Sequence, residues 1–390
     1  MENKFINPNE YGSLLYDKKE KKYLRRVIEQ GRIFRYSKCK YPYVSMCENK
    51  IKNILNVDYS LLTTSGTSAL KAALIAAGIK PEDRVLISSY TFLATALAPI
   101  SLGAVPIPIE IDLNTGLNVD DLMTEIKKGC KAIIVAHFQG RAFDLSKIKQ
   151  IALENNIVLI EDACQAFGAK VNNEYAGTLG DIGVFSFQQF KQLSCGEGGC
   201  VITNNEQYYN RMRNYTDMGS VRDRFPTWNS KEALFGENYR MNNLNAAILY
   251  AQLEKCNKMI KRQKKSRDRI MKNIKNYKIK NIIESVDPDG DTSMNILLIL
   301  KSSKLKNEAI SLANEMSIEL RTMWSSLYYD NELFKENHLT SKELRNKECK
   351  ITKQLIDKML VISIPPTLTK GNEKYIIKLI LNLKDKKLLE

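Results

Sequence analysis

Lys191 stands between a short apolar run and a glycine-rich turn in FSFQQFKQLSCGEGGCVIT, Phe185 to Thr203. A lysine just beyond a buried strand and inside a cleft loses solvation, and its lowered pKa makes the amine a nucleophile toward aldehydes. Gly196, Gly198 and Gly199 allow a turn closed to residues with side chains, which holds the lysine loop. Glu161 and Asp162 end the apolar run IVLI and open EDACQAFG. A carboxylate buried there needs a cationic or hydrogen-bonding partner, such as a protonated heterocycle nitrogen. In SGTSAL, Gly66 suits a tight turn, while Ser65, Thr67 and Ser68 start an alanine-rich helix whose free N–H groups and dipole attract phosphate. Phe92 and Tyr90, in SYTFLAT, follow another strand, where an aromatic face can stack on a flat ring. Each feature alone has a plainer explanation: a surface charge, a helix cap or salt bridge, core packing. Taken together and in chain order, phosphate cradle, aromatic face, carboxylate and lysine are the four needs of pyridoxal phosphate.

The elements that must position these groups show as an alternation. Apolar, β-rich runs (YSLLTT, RVLISS, VPIPIEI, KAIIVAHF, IVLIEDA, IGVFSF and GCVIT) are interleaved with helical ones (SALKAALIAAG, FLATALAPI, DLSKIKQIALENN). Such alternation predicts an α/β fold with a largely parallel sheet covered by helices on both faces, where ligands gather beyond the strands' carboxyl ends. At 390 residues the chain exceeds what one hydrophobic core usually organises, so two lobes are expected. The long helical stretch from Asn242, NNLNAAILYAQLEKCNKMIKRQKKSRDRI, reads as the bridge to a second lobe that mixes strands such as MNILLIL with helices such as NEAISLANEM. The expected division is 1–255 and 256–390.

Composition narrows the function classes. With 44% hydrophobic and 26% charged residues, the chain matches an ordinary soluble globular protein able to bury a core. The polar amino terminus and the lack of any membrane-length apolar run point to the cytoplasm. Eight cysteines scattered without CxxC spacing read as reduced thiols. Only two histidines, His137 and His338, argue against a histidine-rich metal site, so no metal is expected and lysine becomes the acid–base candidate. The net charge of +15 is densest in KKEKKYLRR and KMIKRQKKSRDR, which read as solvated helix faces. No nucleic-acid signature accompanies them, and anionic, phosphate-bearing substrates suit the charge.

The blocks TSGTSAL, SYTFLATA, EDACQAFGA, FSFQQFKQLSCGEGGCVIT and NYRMNNLNAAI resemble the signatures of the DegT/DnrJ/EryC1/StrS aminotransferases, the sugar aminotransferases of fold type I. More loosely, LVISIPPTLTKGNEKYIIKLI is similar to the family's closing segment. The resemblance implies an aspartate aminotransferase-like large domain, a smaller α+β C-terminal domain and pyridoxal 5′-phosphate as cofactor. Lys191 would hold the cofactor covalently and later move a proton, and Asp162 would pair with its ring nitrogen. Gln165 would hydrogen-bond near the ring oxygen, Gly66, Thr67 and Ser186 would bind the phosphate, and Phe92 would stack on the ring. A neighbouring subunit's Asn238 and Arg240, in ENYRM, would reach the phosphate or substrate, with Tyr239 and Gln188 also facing the substrate; this implies a homodimer with composite sites.

The implied reaction moves an amino group from L-glutamate or L-glutamine to a keto sugar or a related polyhydroxylated or phosphorylated ketone, in surface-polysaccharide or secondary-metabolite synthesis. A lyase on the same fold (a sugar dehydratase or a decarboxylase) is the alternative enzyme, although family dehydratases carry histidine where this chain has Lys191. Outside catalysis the alternative is a basic binding or regulatory protein. Two places depart from the family pattern. Gln188 stands where many nucleotide-sugar members have histidine or another residue, and is similar to members acting on inososes or making aminohydroxybenzoate. In ELRTMWSSLYYDNELF, Glu319 to Phe334, the usual tyrosine, proline and histidine pattern is broken, which implies unusual acceptor recognition.

Overall fold

A computed structural model describes residues 5–389 apart from 115, 223–225, 324–326, 333 and 335–346, with the backbone alone described at 222 and 226. Two helices, α1 (Lys18–Gln30) and α2 (Tyr43–Leu55), come first. The alternation then unfolds as expected through β1 (Tyr59–Thr63), α3 (Gly66–Ala76), β2 (Arg84–Ser88), α4 (Leu93–Ile100), β3 (Val105–Ile109), α5 (Val119–Ile126), β4 (Ala132–Ala136), α6 (Ser146–Glu154) and β5 (Val158–Asp162). A hairpin of β6 (Lys170–Val171) and β7 (Glu174–Tyr175) leads to β8 (Ile182–Ser186) and β9 (Gly199–Thr203).

Seven of these strands form one sheet in the order β1-β9-β8-β5-β4-β2-β3. Neighbours from β3 across to β8 pair in parallel, while β9 runs antiparallel to both β8 and β1. Central strands are apolar on both faces, as Ile133, Ile134 and Val135 on β4 and Leu159 and Ile160 on β5 show by their complete or near-complete burial. Pro106 and Pro108 cannot donate to a ladder, and their strand, β3, takes the sheet edge.

This topology gathers chemistry on one side. Parallel strands end there, and the reversed β9 begins there, with Gly199 opposite both Thr63 and Ser186. Only glycine fits at that crossing, because a Cβ on Gly199 would lie 2.1 Å from the Ser65 carbonyl oxygen.

After α7 (Glu206–Thr216) and a two-stranded ribbon of β10 (Val221–Arg222) and β11 (Pro226–Thr227), the bridging helix α8 runs from Asn243 to Ile274. Asn242 caps it by accepting the N–H groups of Leu244 and Asn245. Both α1 and α2 pack along α8. Ala246, Leu249, Leu253, Cys256 and Met259 of α8 belong to a first-lobe core, whereas Ile270 and Ile274 belong to the second-lobe core. The helix crosses position 255/256 without a break.

In the second lobe β12 (Ile282–Ile283), β13 (Asn295–Ile299), β14 (Leu320–Arg321) and β15 (Met359–Ser363) form an antiparallel sheet in the order β12-β13-β15-β14. Its core also takes in α9 (Lys306–Glu315) and the helix Lys370–Asp385. The lobes are clasped at Glu110, just past β3. Its carboxylate accepts Ile351 N at 3.0 Å, Thr352 N at 2.7 Å and Thr352 Oγ1 at 2.6 Å, at the amino end of the helix Lys350–Ile356. All eight cysteines are free. Among the described residues no helix is long and apolar enough to cross a membrane.

Candidate active site

A cavity of about 530 Å³ lies beyond the carboxyl ends of β1, β5 and β8. Gly66, Thr67, Phe92, Asp162, Gln165, Ser186, Gln188 and Lys191 all line it, although they come from well-separated stretches of chain.

The anion cradle is the start of α3. Ser65 and Ser68 form a reciprocal capping box, Ser65 Oγ accepting Ser68 N at 3.1 Å and Ser68 Oγ accepting Ser65 N at 2.9 Å. These two hydroxyls are therefore committed to the cap. The next amides, on Gly66 and Thr67, belong to the first turn, whose N–H groups have no intrahelical acceptor and favour an anion. A Cβ on Gly66 would meet Ser186 Cβ at 2.9 Å and Cys164 Sγ at 3.0 Å, so the helix start is seated directly against the ends of β5 and β8.

Strand alternation sends the paired carboxylates to opposite faces of β5. Glu161, fully buried, faces away from the cavity. It takes a 2.7 Å bond from His137 Nε2 and the backbone N–H groups of Gly177, Leu179 and Gly180. Phe143 N donates to His137 Nδ1, which leaves Nε2 as the protonated nitrogen that donates to Glu161. Asp162 faces the cavity instead. Thr95 Oγ1 donates to its Oδ2 at 2.7 Å and Cys164 N to its Oδ1 at 3.1 Å.

The two aromatic candidates also separate. Tyr90 is buried against Phe138, ring centroids 5.5 Å apart, and belongs to the core. Phe92 is 53% exposed at the amino end of α4, on the cavity wall, where its ring can cover a planar ligand. Lys191 Nζ lies 6.0 Å from the centre of that ring. The lysine loop is pinned by its backbone, with Lys191 N donating to Gln188 O and Gly12 N to Lys191 O. Gln188 Oε1 accepts Phe190 N at 2.9 Å, which leaves its amide NH₂ for a ligand.

Several lining residues carried no chemical signal in the sequence. Tyr11 OH donates to Asn295 Oδ1 at 2.9 Å, Asn295 Nδ2 to Gln139 Oε1 at 2.6 Å, and Gln139 Nε2 to Gln165 Oε1 at 3.0 Å. This chain joins the amino-terminal segment, the second lobe and the cavity. Burial pushes the Tyr11 pKa up and keeps the hydroxyl a neutral donor. Thr95 falls within SYTFLATA, and its bond to Thr91 Oγ1 at 2.8 Å reflects an i,i+4 spacing visible in the sequence. Met294 and Met323 form an apolar second-lobe wall. Met323 comes from the atypical segment Glu319 to Phe334, in which Leu327, Tyr328, Tyr329 and Phe334 pack into the main core. Positions 324–326 and 333 of that segment, and His338, lie outside the described residues.

Asn238, Tyr239 and Arg240 do not line this cavity. Arg240 forms an ion pair with Asp217 and sits 5.7 Å from the ring centre of Phe34, while Asn238 bridges to Asp217 through the backbone. Lys71 Nζ donates to Glu237 Oε1 at 2.6 Å and to Tyr239 Oη at 3.0 Å; the Tyr239 and Tyr215 hydroxyls also donate to Glu237. Burial alone would raise the Glu237 pKa, but the bonds from Lys71, Tyr239 and Tyr215 outweigh it and hold it down at about 2.

A doubly wound sheet with a helix-start anion cradle, an exposed aromatic, a hydrogen-bonded aspartate and a lysine at one edge defines a pyridoxal-phosphate enzyme of fold type I. The chain belongs to the DegT/DnrJ/EryC1/StrS aminotransferase family, whose model matches residues 15–381. It is 36% identical over 257 residues to a GDP-perosamine synthase of Escherichia coli O157:H7, a stretch covering 66% of this chain and 68% of that protein. It is also 36% identical over 197 residues to the L-glutamine:2-deoxy-scyllo-inosose aminotransferase of Streptomyces kanamyceticus, covering 49% of this chain and 46% of that one. Among solved structures, an aminotransferase from Psychrobacter cryohalolentis superposes with a TM-score of 0.85 at 24% identity, over 95% of this chain and 98% of its own.

Pyridoxal phosphate, the family's cofactor, fits the residues present. The cradle at Gly66 leaves no room for a side chain, Asp162 turns a carboxylate into the cavity, and the partly exposed Phe92 ring stands on the cavity wall beside Lys191.

Proposed function

We propose that the protein transfers an amino group from L-glutamate or L-glutamine to a keto sugar or a similar polyhydroxylated ketone. The reading rests on one observation above all: Lys191 and Asp162 line the same cavity as an anion cradle and an exposed aromatic ring. Bound there, pyridoxal phosphate supplies an electron sink for a carbon that loses its proton. Gly66, Thr67 and Ser186 would hold the phosphate, Phe92 would cover the ring, and Asp162, fixed by Thr95 and Cys164, would accept a hydrogen bond from the ring nitrogen. Lys191 Nζ provides the attachment amine and then carries a proton to and from the substrate carbon. Gln188 and Gln165 line the cavity with their Oε1 atoms taken, and their amide NH₂ groups would serve the substrate and the ring oxygen.

The same reading makes the working unit a homodimer. Asn238, Tyr239 and Arg240 lie off their own cavity and beside exposed apolar side chains, Phe34, Met218, Trp228 and Phe235. A patch of that kind suits a second copy of the chain, which would receive these three residues at its own site.

The test is product analysis. The pyridoxal-phosphate-loaded protein is incubated with each donor and with a nucleotide-linked keto sugar or a free inosose, and products are resolved by mass spectrometry. An aminated acceptor with one oxo acid released per amine supports the reading. An eliminated product without amine, or no consumption of either donor, contradicts it.

A further inference from the structure

An amino-terminal strap, residues 6–12, runs from the second lobe to the lysine loop. At one end Ile6 N donates to Ser317 O at 3.0 Å, and the fully buried Asn7 brackets Glu319, accepting its N–H at 2.7 Å and donating to its carbonyl oxygen at 3.1 Å. At the other end Gly12 N donates to Lys191 O. Between these anchors Asn9 lines the catalytic cavity. Its side chain has one possible orientation. Arg321 of β14 reaches it with Nη2 at 2.6 Å, and a guanidinium carries N–H donors alone, so the atom it meets is the amide oxygen. The Tyr11 hydroxyl, 3.3 Å away, converges on the same oxygen. Asn9 Nδ2 is therefore turned away from Arg321; it is not buried, and it has no partner among the described residues. Gln188 is built alike, its oxygen held by Phe190 N and its NH₂ open. Both residues turn amide N–H donors, rather than oxygens, to the cavity.

Arg321 belongs to the segment Glu319 to Phe334 that departs from the family pattern, as does Met323, whose sulfur takes Arg321 Nη1 at 2.9 Å on the cavity wall. Glu319 Oε1 stands 3.9 Å from Arg321 Nε, too far for a hydrogen bond but close enough to offset the charge. The arm formed by Arg321 and Asn9 therefore calls for no anion. The rest of the lining agrees. Among the described residues on the cavity wall Lys191 is the one cation, while Asp162 and Glu197 are carboxylates, which disfavours any phosphate beyond the cofactor's own. An uncharged oxygen, hydroxyl or keto, suits the two amides.

We propose that Asn9, held in this orientation by Arg321, is a specificity-determining residue for the amino acceptor, donating a hydrogen bond to a hydroxyl or keto oxygen of an uncharged polyhydroxylated ketone. Arg321 is a positioning residue: it fixes which end of the Asn9 amide the cavity meets. The role of Asn9 rests on the transaminase reading above and concerns the second half of that reaction. The amino donor brings carboxylates, for which charged partners are the stronger match.

The experiment measures the two half-reactions apart. Protein loaded with pyridoxamine phosphate, which needs no donor, is mixed with scyllo-inosose, a neutral ketone whose remaining ring carbons all carry hydroxyls, and the return of the visible-edge band is followed. Protein loaded with pyridoxal phosphate is mixed with L-glutamate or L-glutamine, and the loss of that band is followed. Asn9→Ala should raise the half-saturating inosose concentration by about fivefold or more, while the donor half-reaction stays within about twofold of wild type. Arg321→Lys offers donors alone and should keep inosose binding near wild type, whereas Arg321→Gln, able to present an oxygen to Asn9, should weaken it. Should Asn9→Ala fail to fold, the contrast between the two Arg321 variants decides. An unchanged inosose dependence in Asn9→Ala, equal weakening of both half-reactions, or a wild type that passes no amine to the inosose overturns the assignment. A wild type that aminates the inosose but reacts with neither donor contradicts the donors named above, while the comparison at Asn9 still stands on the acceptor step alone.

Discussion

Thr95 Oγ1 donates a 2.7 Å hydrogen bond to Asp162 Oδ2, and through it α4 fixes the orientation of the carboxylate that ends β5. With Cys164 N on the other oxygen, each Asp162 oxygen keeps a lone pair free for the cavity. Leaving a buried charged acceptor one donor short costs about 1–3 kcal/mol. Thr95→Val, close in shape, is therefore expected to lower kcat/KM by about tenfold or more, with Thr95→Ser restoring most of it. Steady-state kinetics on the three proteins checks this; equal kcat/KM values would remove Thr95 from the account.

Gly66→Ala places a methyl 2.9 Å from Ser186 Cβ and 3.0 Å from Cys164 Sγ, between two walls that are themselves buried or backed by strands. Overpacking of this kind costs about 1–3 kcal/mol, and here it falls on the amides that would hold the phosphate. Cofactor affinity is expected to drop by about tenfold or more while the secondary structure stays intact. Fluorescence titration with pyridoxal phosphate, alongside circular dichroism, measures both.

Much of this site was legible in the sequence, because its residues follow strands, and strands are written as apolar runs. Asp162 closes such a strand, and Gly66, Phe92 and Lys191 sit three to five residues past one, which is where a parallel sheet delivers them. Period-two alternation could also have separated Glu161 from Asp162. Tyr11, Asn9 and Gln139 were not legible, since they reach the cavity through tertiary contacts from the amino-terminal segment and from a residue at φ +54°, and no local pattern records that. The reversed direction of β9 was equally silent: GCVIT reads as a strand, and no local pattern records which way it runs in the sheet.

Tyr11→Phe tests the hydrogen-bonded chain that reaches Gln165. Removing the hydroxyl leaves Asn295 Oδ1 buried without its donor, at a cost of about 1–3 kcal/mol. A lower melting temperature, together with weaker binding of the acceptor, is expected. Thermal denaturation and the acceptor KM provide the check; an unchanged KM would confine Tyr11 to a structural role.

Folding lowers the Glu237 pKa from the ordinary 4.5 to about 2, so the unfolded chain takes up this proton first as the pH falls. The stabilisation is complete above about 4.5 and is lost as the pH drops through about 2. Glu237→Gln should therefore melt below the wild type near neutral pH, and the gap should narrow below pH 4.5. Melting curves across that range carry the test, and a gap independent of pH would assign the effect to packing.

The most direct test of the central claim is the absorption spectrum of the protein with pyridoxal phosphate, before and after addition of L-glutamate or L-glutamine, in wild type and in Lys191→Ala. A visible-edge band is expected in the wild type, giving way to the pyridoxamine form with one of the donors. In Lys191→Ala, donor addition should produce no turnover although some cofactor is retained in the cradle. Wild-type turnover by Lys191→Ala, or a wild-type protein that takes up no cofactor, would contradict it.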